Sequence, residues 1–96
     1  MPLLATLHAS RDKILALAAA YGVKDVRVFG SVARGEDRED SDIDLLVSLE
    51  PGAGLMAMGG FLADMEDFLH RRVDVVTEKG LHWVIREQVL KEATPL

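Results

Sequence analysis

Gly30-Ser31-Val32-Ala33-Arg34-Gly35, followed closely by Asp40-Ser41-Asp42-Ile43-Asp44, is the stretch on which the reading of this chain turns. Asp42 and Asp44 stand at the head of the apolar run Leu45-Leu46-Val47. That run predicts a β-strand, and in a strand residues i and i+2 share a face. Their Cα atoms then lie roughly 6.6–6.8 Å apart at the usual strand rise. Carboxylates at that spacing can converge on one hard cation or on two neighbouring ones. The turn ahead of them suits a phosphate: Gly30 carries no Cβ to hold the backbone away, and Ser31 offers both a hydroxyl and an amide. A protein that binds a triphosphate and transfers part of it needs both halves. Taken singly, each has an ordinary alternative. An Asp-x-Asp pair is commonly a solvated acidic edge, and Ser31 commonly caps a strand-to-helix turn.

The flanking sequence predicts the elements that carry this stretch. Leu4, Leu7, Ile14, Leu17, Ala18 and Tyr21 fall near helical spacing, so a helix is expected over residues 3–20, stopped by Gly22. Val26-Arg27-Val28-Phe29 predicts a short strand leading into Gly30-Ser31, and residues 34–41 a polar loop or helical turn. Ile43 to Leu49 is the second strand, broken by Glu50-Pro51-Gly52-Ala53-Gly54. Met58, Phe61, Leu62, Met65, Phe68 and Leu69 mark the clearest amphipathic helix. Gly59-Gly60 lies inside it and costs roughly 1 kcal/mol per glycine relative to alanine, which either a close backbone approach or fraying accounts for. Arg72-Val73-Asp74-Val75-Val76 is the third strand, and Leu81, Val84, Ile85, Val89 and Leu90 predict a closing helix. The alternation implies a single α/β (α+β) domain over residues 1–96, a mixed sheet with helices packed on it.

The Gly-Ser pair, its Ala-Arg-Gly extension and Asp-Ser-Asp-x-Asp before a hydrophobic strand resemble the signature of the nucleotidyltransferase superfamily related to DNA polymerase β. Within it the chain is similar to the minimal nucleotidyltransferase domains, and the resemblance extends over nearly its whole length. It implies a truncated polymerase-β-like palm. It also implies magnesium, as a two-ion site, held by Asp42, Asp44 and a third acid on the next long strand, Asp74, which would act as base toward the attacking hydroxyl. ATP would bind with its phosphates at Gly30 and Ser31.

Without the resemblance, Asp74 stands alone among Val73, Val75 and Val76, either as a metal ligand or as an outward-facing strand position. Arg34 suits a phosphate, and equally an ion pair within the acidic loop. Ser41 is expected to orient the loop before Asp42. Glu36, Asp37, Glu39 and Asp40 read as a solvated loop, and Arg71 and Arg72 as surface residues. His8, His70 and His82 show no ligand spacing for zinc. Met56, Met58, Met65 and Trp83 are expected in the core, although an exposed Trp83 would suit a partner.

Composition narrows the class. Eleven Lys and Arg against 16 Asp and Glu leave a net charge of −5, which argues against direct nucleic-acid binding. The absence of cysteine excludes disulfides, thiolate metal sites and a thiol nucleophile, and suits a cytoplasmic protein. No apolar run approaches the roughly 20 residues that span a bilayer, and Met1-Pro2-Leu3-Leu4 carries no leader pattern. No P-loop, dinucleotide fingerprint or nucleophile-histidine-acid set is visible.

Once the palm is assigned, little chain remains to hold an acceptor. The surface for it is therefore expected from another molecule or a second copy. The resemblance implies one: such domains are commonly antitoxins of an all-helical HEPN toxin, which they block by binding and by adding AMP to a tyrosine. The expected function is AMP transfer from ATP to that hydroxyl. The alternatives are an antitoxin that neutralises by binding only, and a homodimeric nucleotidyltransferase acting on a small molecule.

Overall fold

The computed structural model describes residues 3–96; Met1 and Pro2, the start of the leader reading and of the domain range, lie outside the described residues. The chain begins with α1 (Leu3–Ala9) and α2 (Arg11–Ala20), then β1 (Val23–Phe29), the short α3 (Gly30–Arg34) and β2 (Ile43–Leu49). After these come α4 (Leu55–Leu69), β3 (Val73–Thr77), a 3-10 turn (Glu78–Gly80), α5 (Trp83–Glu92) and β4 (Thr94–Pro95). The sheet order is β3-β2-β1-β4. β1 pairs antiparallel with β2 and β4, and β2 pairs parallel with β3 across the α4 crossover. A mixed sheet with helices is thus the observed architecture.

The expected first helix is two. Ser10 interrupts it at φ −98° and ψ 11°, although its amide still reaches Thr6 O and Leu7 O at 3.1 Å. Serine offers the backbone competing hydrogen bonds, and Ser10 with Asp12 in the next turn is itself a helix-start pattern. Gly22 ends α2 as expected: at φ +71° its amide returns to Ala19 O at 3.2 Å.

β1 starts three residues earlier than its alternation predicts. Asp25 takes φ +52°, the register shifts between Lys24 and Arg27, and Val23 and Val26 both point inward. An extra residue of this kind is a β-bulge, and aspartate tolerates the left-handed conformation it needs. The core collects Leu7 and Ile14 from α1 and α2, Val28 and Leu45 from the sheet, and Phe61 and Met65 from α4, all fully buried.

The two glycines of α4 separate. A Cβ on Gly60 would meet the Tyr21 ring at 2.5–3.1 Å, and that ring is tethered by its hydroxyl, which donates to Asp64 Oδ2 at 2.7 Å. A Cβ on Gly59 meets nothing within 4 Å. Close approach therefore explains Gly60 and not Gly59. Gly60→Ala is expected to destabilise by ~1–3 kcal/mol through overpacking, whereas Gly59→Ala should stabilise by up to ~1 kcal/mol. Urea denaturation of both variants checks the contrast, and equal shifts would refute the ring contact as its cause.

The closing helix departs most from expectation. On α5 only Val89 is buried, while Trp83 is 80% exposed and Val84, Ile85 and Leu90 also face solvent. At the start of α4, Met56 is 93% exposed; Met65 is buried and Met58 half-buried. The core reading of Trp83 and Met56 is corrected accordingly. Periodicity shows that a face is apolar; it does not show that another element covers it.

Candidate functional site

β1 ends at Phe29 and the chain turns at once into α3, so the turn and the head of β2 lie side by side: Phe29 is the register partner of Asp44. Gly30 begins α3 with φ +75°, a conformation that suits glycine. A Cβ there would collide with the Asp44 carboxylate. Conformation and space both require glycine at this point. Ser31 is the second residue of α3, and the N-cap position belongs to Phe29, so Ser31 is not the cap. Gly35 closes the turn in the left-handed region at φ +72°.

The parallel pairing of β2 with β3 places Asp44 opposite Asp74, and Asp42 lies two residues before Asp44, just ahead of β2. The three predicted acids therefore share one end of the sheet. Asp74 is exposed, whereas Asp42 and Asp44 are half-buried. Burial, then the charges of Asp74, Asp42 and Glu92, push the Asp44 carboxyl up from 3.8 to about 6, with Arg34 opposing. Asp42 lies 3.9 Å from the exposed Arg72, a separation worth little in solvent.

The loop before Asp42 is built as expected of Ser41, whose hydroxyl accepts from the Arg38 amide at 2.7 Å. Arg71 adds a clamp that the sequence reading did not assign, donating to Arg38 O at 3.1 Å and Ser41 O at 3.0 Å. Arg34 satisfies its ion-pair reading: Nε donates to Glu36 at 2.7 Å and Nη1 to Glu92 at 3.0 Å. These carboxylates push its already high pKa further up.

Glu92 was absent from the candidate residues. It comes from the end of α5, and its carboxylate also accepts from the Gly30 amide at 2.9 Å. Sixty-two residues separate the two in sequence, and no local pattern marks the contact.

The carboxylate donors here are all oxygen, burial and the surrounding negative charge raise Asp44, and Gly30 lets the backbone of the turn come close to the Asp44 carboxylate. These features fit a hard divalent cation beside phosphates. Among the described residues, no three acidic or histidine side chains form a ready-made metal cage. Magnesium does not require one, since it is usually held by one or two carboxylates, with substrate phosphates and water completing its shell. Among the described residues no helix is long and apolar enough to cross a membrane.

Known proteins share much of this sequence and its fold. The profile of a family described as the nucleotidyltransferase domain matches residues 11–96. The protein adenylyltransferase MntA of Thermococcus cleftensis is 40% identical over 76 residues, 79% of this chain and 77% of that protein. A Methanocaldococcus jannaschii protein provisionally named a protein adenylyltransferase is 37% identical over 87 residues, covering 91% of this chain and 94% of its own. A solved structure provisionally named a minimal nucleotidyltransferase superposes with a TM-score of 0.85 at 54% identity, covering 97% of this chain and 95% of its own. A toxin-antitoxin structure with AMP-PNP shares the fold at a TM-score of 0.73 and 23% identity, over 88% of this chain and 69% of that one.

Proposed function

Because the chain belongs to the nucleotidyltransferase domain family, we propose that it transfers AMP from ATP to a hydroxyl of a partner protein, a tyrosine of a helical HEPN-type toxin, and so acts as that toxin's antitoxin. The observation that carries this reading is the packing of Gly30 against Asp44, with Asp74 in register beside it. In this reading the turn that would take the phosphates lies directly against the carboxylates. The adenylyltransferase names of the relatives support AMP as the transferred group.

In this reading Gly30, Ser31 and Arg34 bind the phosphates, and Asp42, Asp44 and Asp74 hold magnesium. Magnesium held there would supply positive charge against the reacting phosphate. The acceptor oxygen bonds to the α-phosphorus as the bond from that phosphorus to the pyrophosphate oxygen breaks. Asp74, the exposed member of the three, takes the hydroxyl proton, and AMP stays on the acceptor. Positioning and charge stabilisation are most of the catalysis, so few residues suffice.

The exposed apolar residues Trp83, Val84 and Ile85 favour a second reading, in which the protein neutralises its partner by binding alone. Intact-mass spectrometry of a co-expressed helical partner, incubated with this protein, ATP and magnesium, separates the two. A gain of AMP on a tyrosine that vanishes with Asp74→Asn supports transfer. A stable complex without mass change supports neutralisation by binding. Asp74→Asn is expected to leave folding intact, since the side chain faces solvent, while stopping transfer; full activity would return Asp74 to the role of an outward strand residue.

A further inference from the structure

Two of the groups assigned to phosphate already hold an anion from this chain. The Glu92 carboxylate accepts from the Gly30 amide at 2.9 Å and from Arg34 Nη1 at 3.0 and 3.2 Å. A carboxylate and a phosphate present the same chemistry to such donors: negative charge and acceptor-only oxygens. We propose that Glu92 is an internal anion seated in the phosphate cradle, and that the triphosphate binds by displacing its side chain. This inference rests on the nucleotide reading above and adds to it a residue that sets nucleotide affinity.

The seat is well defined. The Glu92 side chain is 18% exposed, against 43% for Arg34. The backbone around it is anchored on both sides. Ala93 N donates to Val89 O at 2.9 Å, and Leu96 N to Val26 O at 3.1 Å. Thr94 and Pro95 pair with Val28 and Arg27 of β1. Leu96 is buried, and its carbonyl accepts from Arg11 Nε at 2.7 Å. The end of α5 is thus held by β4, and the carboxylate leaves by side-chain rotation without helix movement. Arg34 keeps an acceptor when this happens, because Glu36 holds its Nε at 2.7 Å. The guanidinium stays oriented for an incoming phosphate.

A tethered carboxylate competes at high effective concentration. Ligands with few phosphate contacts are therefore held off more than a triphosphate, which gains further contacts beyond the two that Glu92 occupies. The alternative role for Glu92 is positioning, with its carboxylate holding the Gly30 amide and Arg34 ready for nucleotide. The two roles predict opposite signs for its neutralisation.

The test is calorimetric titration of ATP with magnesium into the wild-type protein and Glu92→Gln, with the Gly30 amide followed by NMR. Removing the competing charge is expected to tighten ATP binding about tenfold, or about 1.4 kcal/mol. The Gly30 amide resonance should move on ATP addition in the wild type, and should already differ in the ligand-free variant. Binding by the variant alone would support the proposal more strongly still. Equal or weaker binding by the variant, with ATP still bound by the wild type, overturns the internal anion and leaves the nucleotide reading standing. No ATP binding by either protein overturns both. Glu92→Asp keeps the charge on a side chain one methylene shorter; it carries the same test, with a smaller gain, if Glu92→Gln does not fold.

Discussion

Replacing Asp42 and Asp44 together with alanine is expected to abolish magnesium-dependent ATP binding and to raise the melting temperature at pH 7. The two effects share one cause. Asp44 is pushed up to about 6 by burial and by Asp74, Asp42 and Glu92. Its folded pKa lies above the unfolded value, so the folded state holds the proton more tightly. Well below the unfolded value of 3.8, the carboxyl is protonated in both states and costs nothing. As pH rises from about 4 through about 6, the folded state must give up a proton that the unfolded chain has already lost, and stability falls. Well above pH 6 the cost is complete. Asp44 is half-exposed, so screening limits it to the order of 1 kcal/mol, or roughly 4–8 °C in melting temperature for a domain of this size.

Thermal melts at pH 5 and pH 7 with and without magnesium check the sign. The wild type should lose stability between pH 5 and pH 7 relative to Asp44→Asn, which lacks the titrating group. Magnesium should restore it above pH 6, where binding favours the ionised folded state by mass action. The double variant should show no magnesium response. Retained wild-type ATP affinity in that variant would remove these acids from the metal role, and a wild-type melting temperature insensitive to magnesium would do the same.

How far the sequence could be read depended on the range of each interaction. β2 was legible to its ends, because Ile43 to Leu49 is a local apolar run bounded by acids on one side and Pro51-Gly52 on the other. Although Asp42 lies just outside the strand on which a shared face was expected, its nearness to Asp44 followed from sequence spacing. The pairing of Asp44 with Asp74 did not, since strand register is set by tertiary packing; without the family resemblance Asp74 was an open choice. Glu92 was illegible for the same reason, its partner Gly30 lying across the whole fold. The core expectation for Trp83 and Met56 failed because a large apolar side chain does not say which element covers it. Ser10 and Asp25 carried usable local signals, a helix-start pattern and a residue tolerant of positive φ, and both were outweighed by the apolar residues around them.

Gly30→Ala is expected to be the most damaging single methyl group in the protein, because three requirements meet at one Cα. The first is conformational: φ is +75°, where an L-residue costs roughly 1–2 kcal/mol. The second is steric, since the added Cβ meets the Asp44 carboxylate on the neighbouring strand. Asp44 has little room to yield, with Ile43 and Leu45 on either side fully buried. The third is functional. Moving Asp44 or the turn separates the phosphate cradle from the carboxylates, and Gly30 is also where Glu92 lands. Overpacking adds ~1–3 kcal/mol to the conformational cost, which leaves a total of about 2–5 kcal/mol, a large share of the stability of a small domain. Gly35→Ala is the control: its φ is +72° and no atom lies within 4 Å of its Cβ position, so it carries the conformational cost alone. Urea midpoints and ATP affinity measured on both variants test the difference. Gly30→Ala should lose more stability than Gly35→Ala and should lose ATP binding even under conditions where it remains folded. Equal losses in stability with ATP binding preserved would mean that the contact between Gly30 and Asp44 constrains neither the fold nor the site.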